Sequence, residues 1–425
     1  MSWLRRKRLG AFLKTSLWVI PVFAMLAAMI CAPLTRYLND ALTLPFLNFG
    51  LQGARAAMGI IAASMLTFVV FFFSVLLLTV QIASGSLSPR IIARPFQSRV
   101  LKRSLGLFVF TFVYATSVLG RLEEHVLQLP VLLVLLLSVL SIGVFLFVVE
   151  HISKELRPVT VVTSVAREGA LVIQSSYPHP WASASSLRPA HTTALGQHGF
   201  RTVSHSGRPG VIVAFDVEGL AELAERNACA IELLPQVGDF VPAGGPLFRV
   251  FGGGSISDAE LRASIALGVE RTLEQDPAFA FRIIVDIAEK ALSPAINDPT
   301  TGVLAIDQIQ FLLQEVGKRD LIAGAVRDSS GELRLVYRTP GWEDFVLLAV
   351  AEIRQYGANS IQIMRRLRAM LEDLISLLPP ERAPELQQQL DLLHKTVERE
   401  FNDSPDREQA EIPDSQGLGG RLASF

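Results

Sequence analysis

The chain has 425 residues, half of them hydrophobic, and a net charge of −1. This composition is too apolar for an ordinary soluble protein and too polar for a bundle that lies wholly in a membrane. Residues 1–150 carry 13 basic and 4 acidic residues, a net charge of +9, and the remaining residues carry a net charge of −10. The acidic second part argues against nucleic acid as a partner, which would require a clustered basic surface. Two cysteines are too few for a disulfide framework or a ligand cluster.

Four apolar stretches precede residue 150, and we expect each of them to cross a membrane as an α-helix. They run from Thr15 to Pro33, from Ala56 to Ala83, from Leu105 to Leu119 and from Leu127 to Val149. About 20 mostly apolar residues span a hydrocarbon core of about 30 Å. The third stretch is the weakest because it carries Thr111, Tyr114 and Ser117, and such polar residues favour helix packing and an oligomeric bundle. No charged residue lies near the centre of any stretch, which disfavours a coupled transporter.

The positions of the basic residues predict the orientation. Five precede the first stretch and five lie between the second and the third, whereas the other two loops hold only Arg36, Arg55 and Arg121. Because loops rich in Lys and Arg stay in the cytoplasm, we expect four crossings of a bacterial inner membrane with both termini cytoplasmic. The basic membrane part also favours anionic lipid at the cytoplasmic face.

Residues 151–256 are expected to form a cytoplasmic β-rich module. Val159–Ser175 is rich in β-branched residues and predicts one or two strands. Residues 176–210 contain many Ser, Pro, Gly and His residues and predict a mobile loop. Strands are expected at 211–217, 229–235 and 246–251, with a helix at 218–227. The turn Val237–Gly244 resembles half of a biotinyl or lipoyl-like barrel-sandwich domain without its cofactor-bearing lysine, so we expect no cofactor.

Residues 257–401 are expected to form a mainly helical subdomain. The sequence Ser257-Asp258-Ala259-Glu260 has the form of a capping box and predicts a helix to about Glu274. Asp276-Pro277 and Asp298-Pro299 each combine an N-cap residue with a first-turn proline. The later elements expected are a strand at Glu332–Arg338 and helices at Trp342–Tyr356, Ile361–Leu378 and Pro384–Phe401. Residues 402–425 predict a disordered tail.

Three groups of residues have the composition of a metal or phosphate site without its spacing. Four histidines of the predicted loop could capture zinc, but no cysteine joins them: His179, His191, His198 and His205. Six carboxylates lack any metal-binding or acid–base spacing, and we expect solvated helix faces: Glu270, Glu274, Asp286, Glu289, Asp298 and Asp307. Gly252–Gly254 lacks the Lys of a phosphate-binding loop, so a hinge is the better interpretation. We therefore predict neither a metal site nor a catalytic residue.

The most distinctive string is EKALSPAINDPT at 289–300, which joins two predicted helices through a turn with two prolines. With QIASGSLSPR at 81–90, Arg271-Thr272, Gln275–Pro277 and Ile353–Tyr356, it resembles the bacterial membrane proteins grouped as domain of unknown function 2254. The resemblance covers most of the chain and implies an N-terminal membrane bundle with a cytoplasmic region. It implies no activity, substrate or catalytic residue. The chain departs from the common pattern at Lys290, where an arginine is frequent, and by its long histidine-bearing loop.

The functional interpretation of this string is a polar pocket around the turn. Its candidate residues are Arg271, Asp276, Asp286, Lys290, Ser293, Asn297, Asp298 and Arg354. The structural interpretation is that Asp298 caps a helix, Pro299 occupies its first turn, and Ser293-Pro294 ends the preceding helix.

The leading functional hypothesis is a non-enzymatic inner-membrane protein with an oligomeric bundle. Its cytosolic domain would bind a ligand or partner and could gate a pore or relay the state of the envelope. The alternative is a membrane-tethered enzyme that acts on a lipid or a small anionic substrate near Arg271, Asp286 and Asn297. Convergence of these side chains in a deep cleft would favour the enzyme, and their use in helix caps and ion pairs would disfavour it.

Overall fold

The chain divides into a helical unit, Arg8–Arg157, and an α+β unit that comprises Met1–Lys7 and Pro158–Phe425. The computed structural model describes residues 16–41, 49–86, 98–122, 126, 128–155, 157–181, 199–252, 256–321 and 324–419, together with Trp3 and Arg6. We call the first part the membrane unit, because three of its helices are long and apolar enough to cross a bilayer.

Within its described residues, the membrane unit contains four helices. These are α1 (Val19–Ala41), α2 (Leu51–Ser86), α3 (Arg99–Leu119) and α4 (Gln128–Glu155). The three segments suited to crossing a membrane lie in α1, α2 and α4, namely Val19–Asn39, Leu51–Gln81 and Gln128–Glu155. The third predicted crossing falls on α3, which is a helix but is not among these three segments.

Helix α3 is the interior helix of this unit and packs against the other three. Phe108 and Ala115 of α3 are fully buried, whereas α1, α2 and α4 expose large apolar side chains such as Phe23, Ile60 and Val139. A β-carbon on Gly106 would lie 2.8 Å from Cγ2 of Ile20, so a glycine is needed where α1 and α3 approach closely. Apolar outer faces are the surface expected of helices whose solvent is lipid.

The helices of the membrane unit alternate in direction. Asn39, at the end of α1, accepts a hydrogen bond from the Leu129 amide at the start of α4 over 3.0 Å. The side-chain amide of Gln128 exchanges hydrogen bonds with the backbone of Phe49, just before α2. Arg55 donates to the carbonyl oxygen of Leu122, just after α3. The end of α1, the start of α2, the end of α3 and the start of α4 therefore share one end of the bundle.

Within its described residues, the α+β unit contains two sheets. The strands are β1 (Phe200–Ser204), β2 (Gly210–Phe215), β3 (Ala230–Leu233), β4 (Phe240–Val241), β5 (Pro246–Phe251), β6 (Ile265–Gly268), β7 (Ala325–Arg327) and β8 (Leu333–Tyr337). One sheet has the order β1-β5-β3-β8-β7 and is antiparallel except for the β3–β8 pair, and the other has the order β4-β2-β6. The turn predicted to resemble a barrel-sandwich element takes the chain from β3 into β4 of the other sheet and back to β5.

Helices form the rest of the α+β unit. They are α5 (Pro158–Ser176), α6 (Val217–Arg226), α7 (Asp258–Ala263), α8 (Pro277–Leu292), α9 (Pro299–Gly317), α10 (Trp342–Tyr356), α11 (Ile361–Leu377), α12 (Ala383–Glu400) and α13 (Ser404–Ala410), with a 3-10 turn at Pro380–Arg382. Helix α5 packs against α8 and α9. A β-carbon on Gly169 of α5 would lie 2.5 Å from that of Ala280 of α8, so these two helices are in close contact.

The prediction of strands at Val159–Ser175 is wrong, because these residues form α5. The buried residues of α5 are Val161, Val162, Val165, Ala166, Gly169, Ala170, Val172 and Ile173. They recur at intervals of three and four, which is the period of a helix with one buried face. That periodicity, together with packing against two helices, outweighs the strand preference of the β-branched residues.

The predicted helix from Ser257 to Glu274 is also wrong in its extent. The capping box is confirmed, since Ser257 and Glu260 make both of its hydrogen bonds, but α7 ends at Ala263. The chain then forms β6, which pairs with β2. The β-rich part therefore extends beyond the predicted boundary at residue 256, because a sheet partner far away in sequence determines this segment.

The predicted disordered tail is wrong for residues 402–419, and residues 420–425 lie outside the described part. Arg365 on α11 is fully buried, and its guanidinium donates to the carbonyl oxygens of Ile412 at 3.0 Å and Gly419 at 2.8 Å. The carboxylate of Asp414, only 2% exposed, accepts hydrogen bonds from three backbone amides of this segment. The segment is ordered because it supplies hydrogen-bond acceptors to a buried cation.

The other helices and strands expected in the α+β unit agree with the structure within a few residues. Helices α8 and α9 begin at Pro277 and Pro299, directly after the predicted caps. Of the mobile loop predicted at 176–210, residues 182–198 lie outside the described part of the chain, and β1 occupies part of the remainder.

Candidate functional site

The turn of the distinctive string satisfies its own polar groups. The hydroxyl of Ser293 donates to the carbonyl oxygen of Lys290 over 2.7 Å. The carboxylate of Asp298 accepts from the amide of Thr301 at 3.1 Å and from its hydroxyl at 2.6 Å. Asn297 is exposed and has a φ of 51°, the left-handed conformation that asparagine tolerates better than most residues. These contacts agree with the structural interpretation of the turn.

Two other candidate residues take part in separate contacts of the helical layer. Asp286 forms an ion pair with Arg282 on the same helix at 2.6 Å. Arg354 donates to the hydroxyl of Thr396 over 2.8 Å and so joins α10 to α12. Burial lowers the pKa of the Arg354 guanidinium, with Arg399 contributing to the fall.

Arg271 and Asp276 are candidate residues whose side chains form an ion pair. Nε and Nη2 of Arg271 lie 2.8 Å and 2.7 Å from Oδ2 of Asp276. Oδ1 of Asp276 accepts the amide hydrogen of Phe279 over 3.1 Å and caps α8. Burial raises the pKa of the Asp276 carboxyl, and the Arg271 guanidinium opposes only part of that rise. Gly238, with a φ of 92°, leaves room for this guanidinium, since a β-carbon there would lie 2.3 Å from Nη2.

Asp276 also lines a cavity of about 490 Å³ in the α+β unit. The wall is formed by Ser175–Pro178 at the end of α5, by Phe215, Val217 and Glu218 around the start of α6, by Gln236 and Val237, by Glu274–Pro277 before α8, and by Tyr337–Pro340 after β8. This volume is within the range of small-molecule sites, about 300–1,000 Å³. Of the eight candidate residues, only Asp276 is in the wall.

Three aromatic side chains line the cavity. The rings of Phe215 and Tyr337 meet edge to face, with centroids 4.9 Å apart. Tyr177 is 2% exposed, and its hydroxyl donates to the carbonyl oxygen of Pro340 over 3.0 Å. Burial raises the pKa of both Tyr177 and Tyr337 above that of an ordinary phenol, so both hydroxyls keep their protons near neutral pH.

The side-chain amide of Gln275 closes one side of the cavity. Its Oε1 accepts the amide hydrogen of Phe215 at 3.0 Å, and its Nε2 donates to the carbonyl oxygen of the same residue at 3.2 Å. Gln275 therefore pairs with the end of β2 as a neighbouring strand would. The sequence Gln275–Pro277 was part of the family resemblance, but nothing in the sequence connected it with Tyr177 or Tyr337.

A second cluster of ionisable groups lies between α8 and α10. The guanidinium of Arg282 contacts Asp286 at 2.6 Å, Glu289 at 2.7 Å and Glu352. Burial, followed by a hydrogen bond with Glu352, raises the pKa of the Glu289 carboxyl to about 7. One arginine thus faces three carboxyl groups. Below about pH 7, a proton on Glu289 lowers the negative charge of this cluster.

No group of three His, Cys, Asp or Glu residues is placed to hold a metal ion within the part of the chain that the structure describes. Of the four histidines considered for zinc, His205 has its Nε2 2.8 Å from the carbonyl oxygen of Arg208, and the backbone of His179 binds Asp320. His191 and His198 lie outside the described residues, as do Gly253 and Gly254 of the predicted hinge.

Comparison with known proteins finds relatives but no solved structure that matches. An uncharacterized protein of Mycobacterium bovis and one of Mycobacterium tuberculosis are each 28% identical to this chain over 426 residues. Each match covers 95% of this chain and 80% of the relative. The family model described as predicted membrane protein, DUF2254, matches residues 14–373. The chain therefore belongs to the DUF2254 family of predicted membrane proteins.

Proposed function

We propose that this protein is a four-span, non-enzymatic protein of the bacterial inner membrane whose α+β unit binds a small ligand in the cytoplasm. The observation that carries the proposal is the cavity lined by Tyr177, Phe215, Asp276 and Tyr337. Ligand sites combine apolar walls with a few fixed polar groups, and this cavity has both. The volume of the cavity alone does not identify its ligand.

Four crossings are supported by the length and the place of α3. Its 21 residues extend about 31 Å at 1.5 Å per residue, close to the thickness of the hydrocarbon core. Because the helices alternate in direction, Arg99, Lys102 and Arg103 of α3 lie at the end opposite Arg55 and Leu122. The end with more basic residues belongs in the cytoplasm by the positive-inside rule.

The enzyme alternative has less support than ligand binding. Arg271 pairs with Asp276, Asp286 pairs with Arg282, and Asn297 lies in an exposed turn, so the three do not form one catalytic group. A pore would have to lie between copies, since the described interior of the membrane unit is filled by side chains such as Met58 and Phe108.

The topology can be tested with alkaline phosphatase fusions, since this enzyme is active only after export. Fusions after residues 45 and 124 should be active, and fusions after residues 92 and 425 should be inactive. Fusions to a fluorescent protein that folds only in the cytoplasm should give the reverse pattern. Phosphatase activity at residue 425 would overturn the proposed orientation.

Ligand binding can be tested on the full chain in maltoside micelles, with a panel of small molecules screened by ligand-observed NMR. Val217→Trp would fill the cavity, and Leu347→Trp would place the same side chain on the exposed face of α10 as a matched control. We expect binders whose signal is lost with Val217→Trp and kept with Leu347→Trp. A panel with no binder, or binders that tolerate both changes, would contradict a ligand site in this cavity.

A further inference from the structure

We propose that the cavity selects an organic cation, such as a quaternary ammonium or a protonated amine, over neutral and anionic ligands of the same shape. This inference rests on the proposed ligand-binding function and concerns the same cavity. It follows from which hydrogen-bonding groups of the wall are already used, from the charges around the cavity and from its aromatic faces.

Two hydrogen-bond donors of the buried wall are used within the protein. The single hydroxyl hydrogen of Tyr177 is donated to the carbonyl oxygen of Pro340. The side-chain amide of Gln275 donates to the carbonyl oxygen of Phe215. Pro277 has no amide hydrogen. The phenol oxygens and the carboxylates of the wall are acceptors, so a ligand that carries positive charge or donors has partners there.

Two helices begin at the cavity, and a bare helix N-terminus would attract an anion. Both starts are already occupied by carboxylates of the chain itself. Asp216 accepts the amide hydrogen of Gly219 over 3.1 Å and caps α6, and Asp276 caps α8 in the same way. An anionic ligand would therefore meet two anionic caps instead of free amide groups.

The remaining charges of the wall also favour a cation. Glu218 and Glu274 line the cavity as acidic residues, and Arg338 is its basic residue. The charge of Asp276 is balanced by Arg271, which lies within 2.8 Å of it. The lining thus carries three carboxyl groups, those of Glu218, Glu274 and Asp276, and one guanidinium, that of Arg338.

The aromatic residues of the wall can also attract a cation. Tyr177, Phe215 and Tyr337 all line the cavity, and the rings of the last two are in edge-to-face contact. The faces of aromatic rings carry partial negative charge and attract ammonium groups. Aromatic walls and acceptors together describe a site for an ammonium group that has lost part of its water.

The test compares choline with 3,3-dimethylbutan-1-ol, in which carbon replaces the charged nitrogen, and with acetate as an anion. Binding is measured by ligand-observed NMR on the full chain in dodecyl maltoside, because phosphatidylcholine would compete with choline. We expect choline to bind about tenfold more tightly than the alcohol. We expect Tyr337→Leu and Glu218→Gln each to weaken choline binding several-fold, whereas Tyr337→Phe, which keeps the ring, should retain it.

The outcomes separate this inference from the proposed function. Equal binding of choline and the alcohol, tighter binding of acetate, or no binding of the three while other panel compounds still respond to Val217→Trp would overturn the cation preference and leave the ligand site standing. No response from any compound would overturn both. Unchanged thermal unfolding of Tyr337→Leu would show that its loss of choline binding is not a loss of folding.

Discussion

The free energy of unfolding should fall as pH rises from 5 to 8, because Glu289 in the cluster between α8 and α10 loses its proton. Glu289→Gln should remove that fall. The folded protein raises the pKa of Glu289 from 4.5 to about 7, so the folded state keeps a proton that the unfolded chain releases. A carboxyl group shifted in this direction contributes stability that is fully present below pH 4.5 and is lost as pH rises through 7. Glutamine has the shape of the protonated acid and cannot titrate.

The magnitude follows from the size of the shift. A difference of about 2.5 between the two pKa values corresponds to about 3 kcal/mol at most, at 1.36 kcal/mol for each unit. We expect about 1–2 kcal/mol, because the partner Glu352 has a side chain that is 45% exposed and water screens the repulsion between the two carboxylates. The Glu289→Gln protein should therefore match the original at pH 5 and exceed it by this amount at pH 8.

The assay is guanidinium unfolding of the full chain in maltoside micelles at both pH values, followed by tryptophan fluorescence. Glu222→Gln changes an exposed glutamate of α6 in the same way and should leave the pH dependence in place. A Glu289→Gln protein that loses as much stability between pH 5 and 8 as the original would refute the assignment of the proton to this cluster.

Two further predictions concern helix caps and the C-terminal segment. Asp298→Ala should lower the free energy of unfolding by about 1 kcal/mol, because a helix cap is lost. Asp276→Ala should lower it by about 2–3 kcal/mol, because Arg271 also loses its ion-pair partner. Equal losses in guanidinium unfolding would contradict this difference. A chain that ends after Glu411 should lose about 3 kcal/mol, since the buried Arg365 loses its carbonyl partners, whereas a chain that ends after Gly419 should keep them. Thermal unfolding compares the two, and equal midpoints would show that this segment adds no stability.

Local chemistry made the starts of α8 and α9 predictable. A capping aspartate and a first-turn proline act within three residues, so no knowledge of the fold is needed to find them. The β-branched composition of Val159–Ser175 predicts strands, but its apolar residues recur at intervals of three and four. The structure follows this helical period. Strand β6 and the C-terminal segment depend on β2 and on Arg365, which are distant in sequence.

The cavity could not be predicted because its wall comes from five separate parts of the chain. Ser175 and Pro340 both line it, and no sequence pattern joins residues so far apart. The sequence predicts Asp276 as part of a polar pocket around the turn at 293–298, whereas the structure places it in the wall of this cavity. That turn supports the family resemblance and serves, within the described residues, as a helix junction.

The buried hydroxyl groups of α3 help to explain its interior position. Thr111 of α3 lies 3.3 Å from the hydroxyl of Ser141 on α4, and both are fully buried. The Tyr114 hydroxyl lies 2.8 Å from that of Thr35 on α1. A hydroxyl facing lipid would lack such partners, so these residues favour a helix that is surrounded by other helices.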